Sequence, residues 1–120
     1  MDNPTIFGKI INGHIPAKKV FEDDDVLAFH DIHPLAEVHF LIIPKKFIAT
    51  LADATPADTA LLGKMLALVP VLAAEQGLTG GFRTAINTGE QGGQEVYHLH
   101  IHVFGNRPGG EPLRVIAGKA

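Results

Sequence analysis

Tyr97-His98-Leu99-His100-Ile101-His102-Val103-Phe104 alternates histidine with a large apolar residue. A period of two is the spacing of a β-strand, whose side chains point to opposite faces in turn. The alternation predicts a strand over residues 97–104, with His98, His100 and His102 on one face and Leu99, Ile101 and Val103 on the other. Same-face neighbours lie roughly 7 Å apart, so three imidazoles can line one anionic group. Histidine suits phosphoryl chemistry because its pKa is near neutral: one ring can attack phosphorus while another, protonated, stabilises charge or gives a proton. Spacing alone leaves zinc open, since neutral imidazoles at alternate strand positions can also hold a metal. Gly89, Gly92 and Gly93 come just before the strand. A glycine loop with free amides lets backbone approach a phosphate, which favours phosphate chemistry.

Upstream, Asn3-Pro4 reads as a helix start, with Asn3 as cap, and Ile6, Phe7, Ile10 and Ile11 follow at helical spacing until Gly13 and Pro16. Residues 19–22 and 26–30 read as short strands around the Asp23-Asp24-Asp25 turn, residues 31–37 as a loop, and residues 38–43 as a buried β-branched strand stopped by Pro44. Thr55 and Pro56 open the main helix, with Asp58 near the first-turn amides. Leu61, Leu62, Met65, Leu66, Leu68, Val69 and Leu72 continue it, and Gly77 is the stop. Pro70 should kink or split that helix. Residues 82–88 read as a further strand, and residues 113–116 as a possible short one. The order α-β-β-β-α-β-β predicts an α+β domain: a mainly antiparallel five-stranded sheet with two helices, one of them long, lying to one side.

The 120 residues fit one domain, and a hydrophobic share of 46% fits a globular one. The formal charge of -3 argues against a DNA or long-RNA binder, which usually shows a basic face. No cysteine is present, so disulfides, thiolate metal sites and cysteine nucleophiles are excluded. The N-terminus has no secretory pattern and the apolar stretches look too short for a bilayer. A cytoplasmic location and no membrane partner are expected.

The histidine strand resembles the signature of the histidine triad (HIT) family, histidine-φ-histidine-φ-histidine-φ-φ with φ apolar. The likeness extends to Ile6-Phe7-Gly8-Lys9-Ile10-Ile11, Ile15-Pro16-Ala17-Lys18, Phe29-His30-Asp31-Ile32, His39-Phe40-Leu41-Ile42-Ile43-Pro44-Lys45-Lys46 and Gly92-Gly93-Gln94-Glu95-Val96-Tyr97-His98. These segments are similar to the histidine triad nucleotide-binding branch, from Ile6 to about Arg107. The galactose-1-phosphate uridylyltransferase branch usually carries glutamine where His102 stands.

The resemblance implies a HIT-like fold over residues 1–120, with a tail from about 108, and a hydrolase of purine nucleoside monophosphate derivatives. His100 would attack the α-phosphorus and form a nucleotidyl-histidine, which water then hydrolyses. His102 would hold the phosphate and assist the leaving group, and His98 and His39 would complete the hydrogen-bond network. Asp31 would accept from the ribose hydroxyls. Ile6, Phe7, Ile10, Ile15, Phe29, His30 and Ile32 would wall the base. Asn87 would contact the ribose and phosphate, and Gly93, Gln94 and Glu95 would form the phosphate loop. No cofactor or metal is implied. A homodimer is expected, because the main helix is apolar over more than one face. A metal-dependent hydrolase and a nucleotide-binding scaffold are the alternatives. Glu95 departs from a serine in some relatives, Asn106 from a glycine, and the tail is divergent.

Overall fold

A computed structural model describes residues 5–114. Its elements are α1 (Ile6–Ile11), β1 (Lys19–Glu22), β2 (Val26–His30), β3 (Val38–Pro44), α2 (Thr59–Glu75), β4 (Arg83–Ala85) and β5 (Ile101–Gly105), with short 3-10 turns at Leu51–Asp53 and Pro56–Asp58. The strands form one antiparallel sheet in the order β1-β2-β3-β5-β4. This is the expected five-stranded α+β architecture with two helices, one long.

The two helices lie on opposite faces, which corrects the expectation of one side. Alternate residues of β2, β3 and β5 (Val26, Ala28, Phe40, Ile42, Ile101 and Val103) pack under Met65, Val69, Leu72 and Ala73 of α2. The intervening residues Leu27, Phe29, Leu41 and Ile43 pack under Phe7 and Ile10 of α1. β3 is buried along its whole length. A strand buried on both faces reads as a continuous apolar run, which carries no sign of which face a helix covers.

Element ends differ from expectation for local reasons. α1 is capped by Thr5, whose side chain accepts from Gly8 N–H at 3.2 Å, rather than by Asn3; Asn3 and Pro4 lie outside the described residues. Thr55 and Asp58 form a reciprocal cap, with Asp58 accepting from Thr55 N–H at 3.0 Å, and the 3-10 turn leads into α2. α2 runs unbroken through Pro70. Pro70 is exposed, so water can take the carbonyl that loses its helical donor. The helix ends before Gly77, whose φ of 86° is the left-handed turn that glycine adopts without penalty.

β5 starts at Ile101 rather than Tyr97. Its ladder with β3 runs from Val38↔Gly105 to Ile42↔Ile101, and Pro44 offers no N–H to extend it. Leu99 N–H donates instead to Ile48 O at 2.7 Å. β4 is shorter than expected, spanning Arg83–Ala85 and ending where Ala85 pairs with His102. Residues 113 and 114 are not in a strand, and 115–116 lie outside the described residues.

Candidate active site

The face of the sheet under α1 carries the histidines. Cross-strand pairing places Phe29, Leu41, His102 and Ala85 in one row, and His39, Phe104 and Arg83 in the next. His98, His100 and His102 keep the predicted common face although only His102 is within β5. Phe7 of α1 touches both His98 and His100, with ring centroids 6.2 and 5.1 Å away. The His100 and His102 rings are 4.9 Å apart. His98, His100 and His39 are buried and His102 is half-buried.

Backbone groups fix the protonation pattern. His100 Nδ1 lies 2.7 Å from His98 O, so the neutral ring carries its proton on Nδ1 and keeps the lone pair on Nε2. His98 Nε2 lies 2.7 Å from Pro44 O and donates there. Leu35 N–H donates to His39 Nδ1 at 3.0 Å, which leaves the His39 proton on Nε2. His39 Nε2 is 3.0 Å from His102 Nδ1, so His102 accepts there and presents an Nε2–H. The site therefore sets a bare nitrogen on His100 beside an N–H on His102.

All four rings hold their protons less tightly than free imidazole. Burial is the main cause for His39, His98 and His100, opposed by Asp31 for His39 and His100 and by the Pro44 carbonyl for His98. Burial, then repulsion from His100 and His39, pushes His102 down to about 4. Before an anion arrives His102 is therefore neutral and donates through Nε2–H.

Asp31 does two jobs. Its Oδ1 accepts from His33 N–H at 2.8 Å, which shapes the turn, and its Oδ2 lies 3.5 Å from His39 Nε2. Asp31, His39 and His102 offer three ligand atoms within 4.8 Å of one another, so a metal deserves a test of fit. A metal on His39 Nε2 would displace that nitrogen's proton to Nδ1 and break the Leu35 bond, and the donor set fits a metal poorly for that reason.

Of the expected base wall, Phe7, Ile10 and Phe29 are buried in the α1-side core, with Ile15 packed beside them and His30 half-buried, whereas Ile6 is 47% and Ile32 83% exposed. Asn87, Gly93 and Glu95 are exposed. The glycine loop is not the open set of amides expected. Gly92 and Gln94 N–H donate to Gly89 O and Gly93 N–H to Glu90 O, all at 3.0–3.2 Å. Gly92 is required by close approach, since a Cβ there would meet Thr88 O at 2.3 Å. Gln94 is buried and braces the loop: its amide donates to Ala49 O at 2.8 Å and Val96 O at 3.0 Å and accepts from Gly89 N–H at 2.9 Å. Sequence reasoning missed Phe47, which packs against His98, and the pair Arg83 and Phe104. Arg83 carries no pattern of its own in a three-residue edge strand.

The sequence pattern of the HIT domain matches residues 12–109. The chain belongs to the HIT family. It is 58% identical over 107 residues to an uncharacterised HIT-like protein of Synechococcus elongatus, covering 89% of this chain and 94% of that one. It is 53% identical over 105 residues to protein HitA of Neisseria gonorrhoeae, covering 88% and 97%. A histidine triad protein from Clostridium difficile shares the HIT fold with a TM-score of 0.87 at 40% identity, covering 97% of this chain and 99% of that one. A HIT family hydrolase from Legionella pneumophila shares it with a TM-score of 0.81 at 50% identity, covering 83% and 90%. His98, His100 and His102 fall within the matched residues.

Proposed function

We infer that this HIT protein is a hydrolase of purine nucleoside phosphoramidates and related nucleoside monophosphate derivatives. The observation that carries the reading is the 2.7 Å bond from His100 Nδ1 to His98 O, which aims the lone pair of Nε2 outward as a nucleophile. Similarity to proteins named HIT family hydrolases supports hydrolysis. In the first step His100 Nε2 bonds to phosphorus, the P–N bond breaks, and the departing amine takes a proton from the His102 side of the site. An anionic phosphate beside His102 favours its imidazolium, and so restores the acid that burial suppresses. In the second step water attacks phosphorus, the P–Nε2 bond breaks, and nucleoside monophosphate leaves. Asp31 accepts from the ribose, and the exposed apolar surface of Ile6 and Ile32 favours the larger purine by contact area.

Phosphoramidates are favoured over dinucleoside polyphosphates because Lys45, Lys46 and Arg107, cations close in sequence to the histidine segments, are engaged. Lys45 faces Glu22 at 2.7 Å, Lys46 faces Asp58 at 2.5 Å and Arg107 faces Glu37 at 3.5 Å. The test is kcat/KM for an adenosine phosphoramidate against a diadenosine polyphosphate, each with and without chelator. Faster phosphoramidate turnover, unaffected by chelation, is expected. Activity lost to chelator and restored by zinc would favour a metal-dependent hydrolase, and no turnover would favour a scaffold.

The functional unit on this reading is a cytoplasmic homodimer with no cofactor, membrane or nucleic-acid partner. By length and composition Pro56–Glu75 could cross a bilayer, contrary to the sequence expectation. Its Met65, Val69, Leu72 and Ala73, however, are sealed onto the sheet. The opposite stripe of Gly63, Leu66, Ala67, Pro70, Val71 and Ala74 is exposed and wholly apolar, and a two-fold partner would bury it. Sedimentation at micromolar concentration should give a dimer, and a monomer mass would refute it.

A further inference from the structure

Charging His102 meets an obstacle of proton placement. In the neutral site His39 holds its proton on Nε2 and donates it to His102 Nδ1 across 3.0 Å. Leu35 N–H occupies the other nitrogen, His39 Nδ1, at 3.0 Å. An imidazolium carries a proton on both ring nitrogens. In that state His102 turns an Nδ1–H toward the Nε2–H of His39, and two donors face each other. Moving the His39 proton to Nδ1 only sets it against the Leu35 N–H. The pair therefore takes up one more proton only where a third group accepts the His39 Nε2–H.

Asp31 is in reach. Its Oδ2 lies 3.5 Å from His39 Nε2, and about 0.3 Å of closure brings it within hydrogen-bond range. Ligand atoms of Asp31, His39 and His102 all lie within 4.8 Å of one another. The carboxylate is held in place by backbone: Asp31 N–H donates to His39 O at 2.9 Å, and Oδ1 accepts from His33 N–H at 2.8 Å. A carboxylate has about four lone-pair sites, so Asp31 can serve ribose hydroxyls as well. Its charge favours protons on His39, His100 and His102, against the effect of burial. The other titratable or charged groups around the pair are His100, His98, His33 and, beside Phe104, Arg83. Among the described residues Asp31 is the one carboxylate paired with His39.

We propose that Asp31 is a positioning residue for acid–base catalysis: it accepts the Nε2–H of His39 when His102 becomes an imidazolium, and so serves proton transfer through His39 in addition to the ribose. This rests on the phosphoramidase reading. As the anionic substrate binds, a proton from solvent joins His102 Nδ1, and the His39 Nε2–H turns from His102 to Asp31 without leaving its nitrogen. His102 then gives its Nε2 proton to the departing amine while the P–N bond breaks and the bond from phosphorus to His100 Nε2 forms. His102 is left neutral, with its proton on Nδ1 and a bare Nε2. That nitrogen takes a proton from the water that attacks phosphorus in the second step, and the Nδ1 proton returns to solvent as product leaves.

The test separates this role from ribose binding with a 2′,3′-dideoxyadenosine phosphoramidate, which offers Asp31 no ribose hydroxyl. Its kcat and KM are measured across pH beside those of the adenosine compound of the same unactivated amine, in the unaltered protein, Asp31→Asn and Asp31→Glu. Asp31→Asn should lower kcat for both compounds by about tenfold or more. It should also move the limb of the kcat profile that reports His102 to lower pH by about one unit or more, the size expected for losing an opposite charge at this distance. Asp31→Glu keeps the charge and should recover part of both. A carboxylate that only holds the ribose gives a different result: Asp31→Asn raises KM for the adenosine compound and leaves kcat and the pH profile of the dideoxy compound unchanged. That result overturns the proposal. Nitrogen NMR of the histidines, with adenosine monophosphate at saturation, follows the same proton without turnover, and His102 should protonate at lower pH in Asp31→Asn. If neither compound is turned over by the unaltered protein, the phosphoramidase reading fails by itself, and an unchanged His102 midpoint still overturns the role of Asp31.

Discussion

The face of the sheet beneath α2 and the face beneath α1 are built from alternate residues of the same strands, yet they are finished differently. Beneath α2, Phe40, Ile42, Ile101 and Val103 meet only apolar partners and are almost completely buried. Beneath α1, the short helix covers Leu27, Phe29, Leu41 and Ile43 but stops short of β5 and β4. Phe7 of α1 touches His98 and His100, and His39 and His102 lie beyond; no buried side-chain nitrogen or oxygen among the described residues lacks a partner. One face therefore supplies stability, and the other spends polar burial on fixing proton positions. The contrast separates what substitutions on each face should do.

The largest effect should come from His100→Ala, which removes the attacking nitrogen. Activity should drop by roughly 10⁴-fold or more, while the melting temperature stays close to that of the parent, because the ring faces the site and not the α2 core. An unfolded variant would erase the distinction between the faces. Across the sheet, Phe40→Ala should cost about 3–5 kcal/mol in denaturant unfolding. It should leave the pH profile of the remaining folded enzyme unmoved, and a shifted profile would show that the two faces are not independent.

Smaller losses should follow from His102→Ala and His39→Ala. Removing a general acid typically costs about 10²–10⁴-fold. His102→Ala should lose more with a poor amine leaving group than with an activated one, because an activated group needs less protonation. His39→Ala acts through His102, so it should lose less and shift the pH profile. Equal losses with both leaving groups would remove His102 from proton transfer.

The strand periods, the Thr55-Pro56 helix start and the histidine alternation were legible because each is local and repeats along the chain. The sides of the helices were not, because β2 and β3 are apolar on both faces. The bonds of Gly92, Gly93 and Gln94 were not legible, because a glycine run shows permission to turn but not where its amides point. The orientation of His100 was invisible for a related reason: its partner is the His98 carbonyl, a group every residue has. His39 was legible only through the family resemblance, and the nearness of Arg83 to Phe104 and His39 was not legible at all, since strands joined at long range bring them together.

The gentlest effect is that of acid on stability. His39, His98, His100 and His102 all titrate below their usual 6.5 in the folded chain, chiefly because burial disfavours the charged ring. As pH falls below 6.5 the unfolded chain takes up protons that the folded one refuses, so their contribution is complete above 6.5 and is lost on acidification, down to about 4 for His102. Unfolding curves across that window should show the decline, and His102→Ala should flatten it. A stability that rises on acidification would mean that the rings are paired as cations.

The central claim is that His100 Nε2 becomes covalently bonded to phosphorus. Rapid quench of the protein with an adenosine phosphoramidate, followed by peptide mass spectrometry under conditions that preserve the P–N bond, tests it directly. The expected result is an adenylyl group on His100, formed and lost at rates compatible with turnover and absent from His100→Ala. Turnover with adenylylation confined to another residue, or undiminished turnover in His100→Ala, would contradict it.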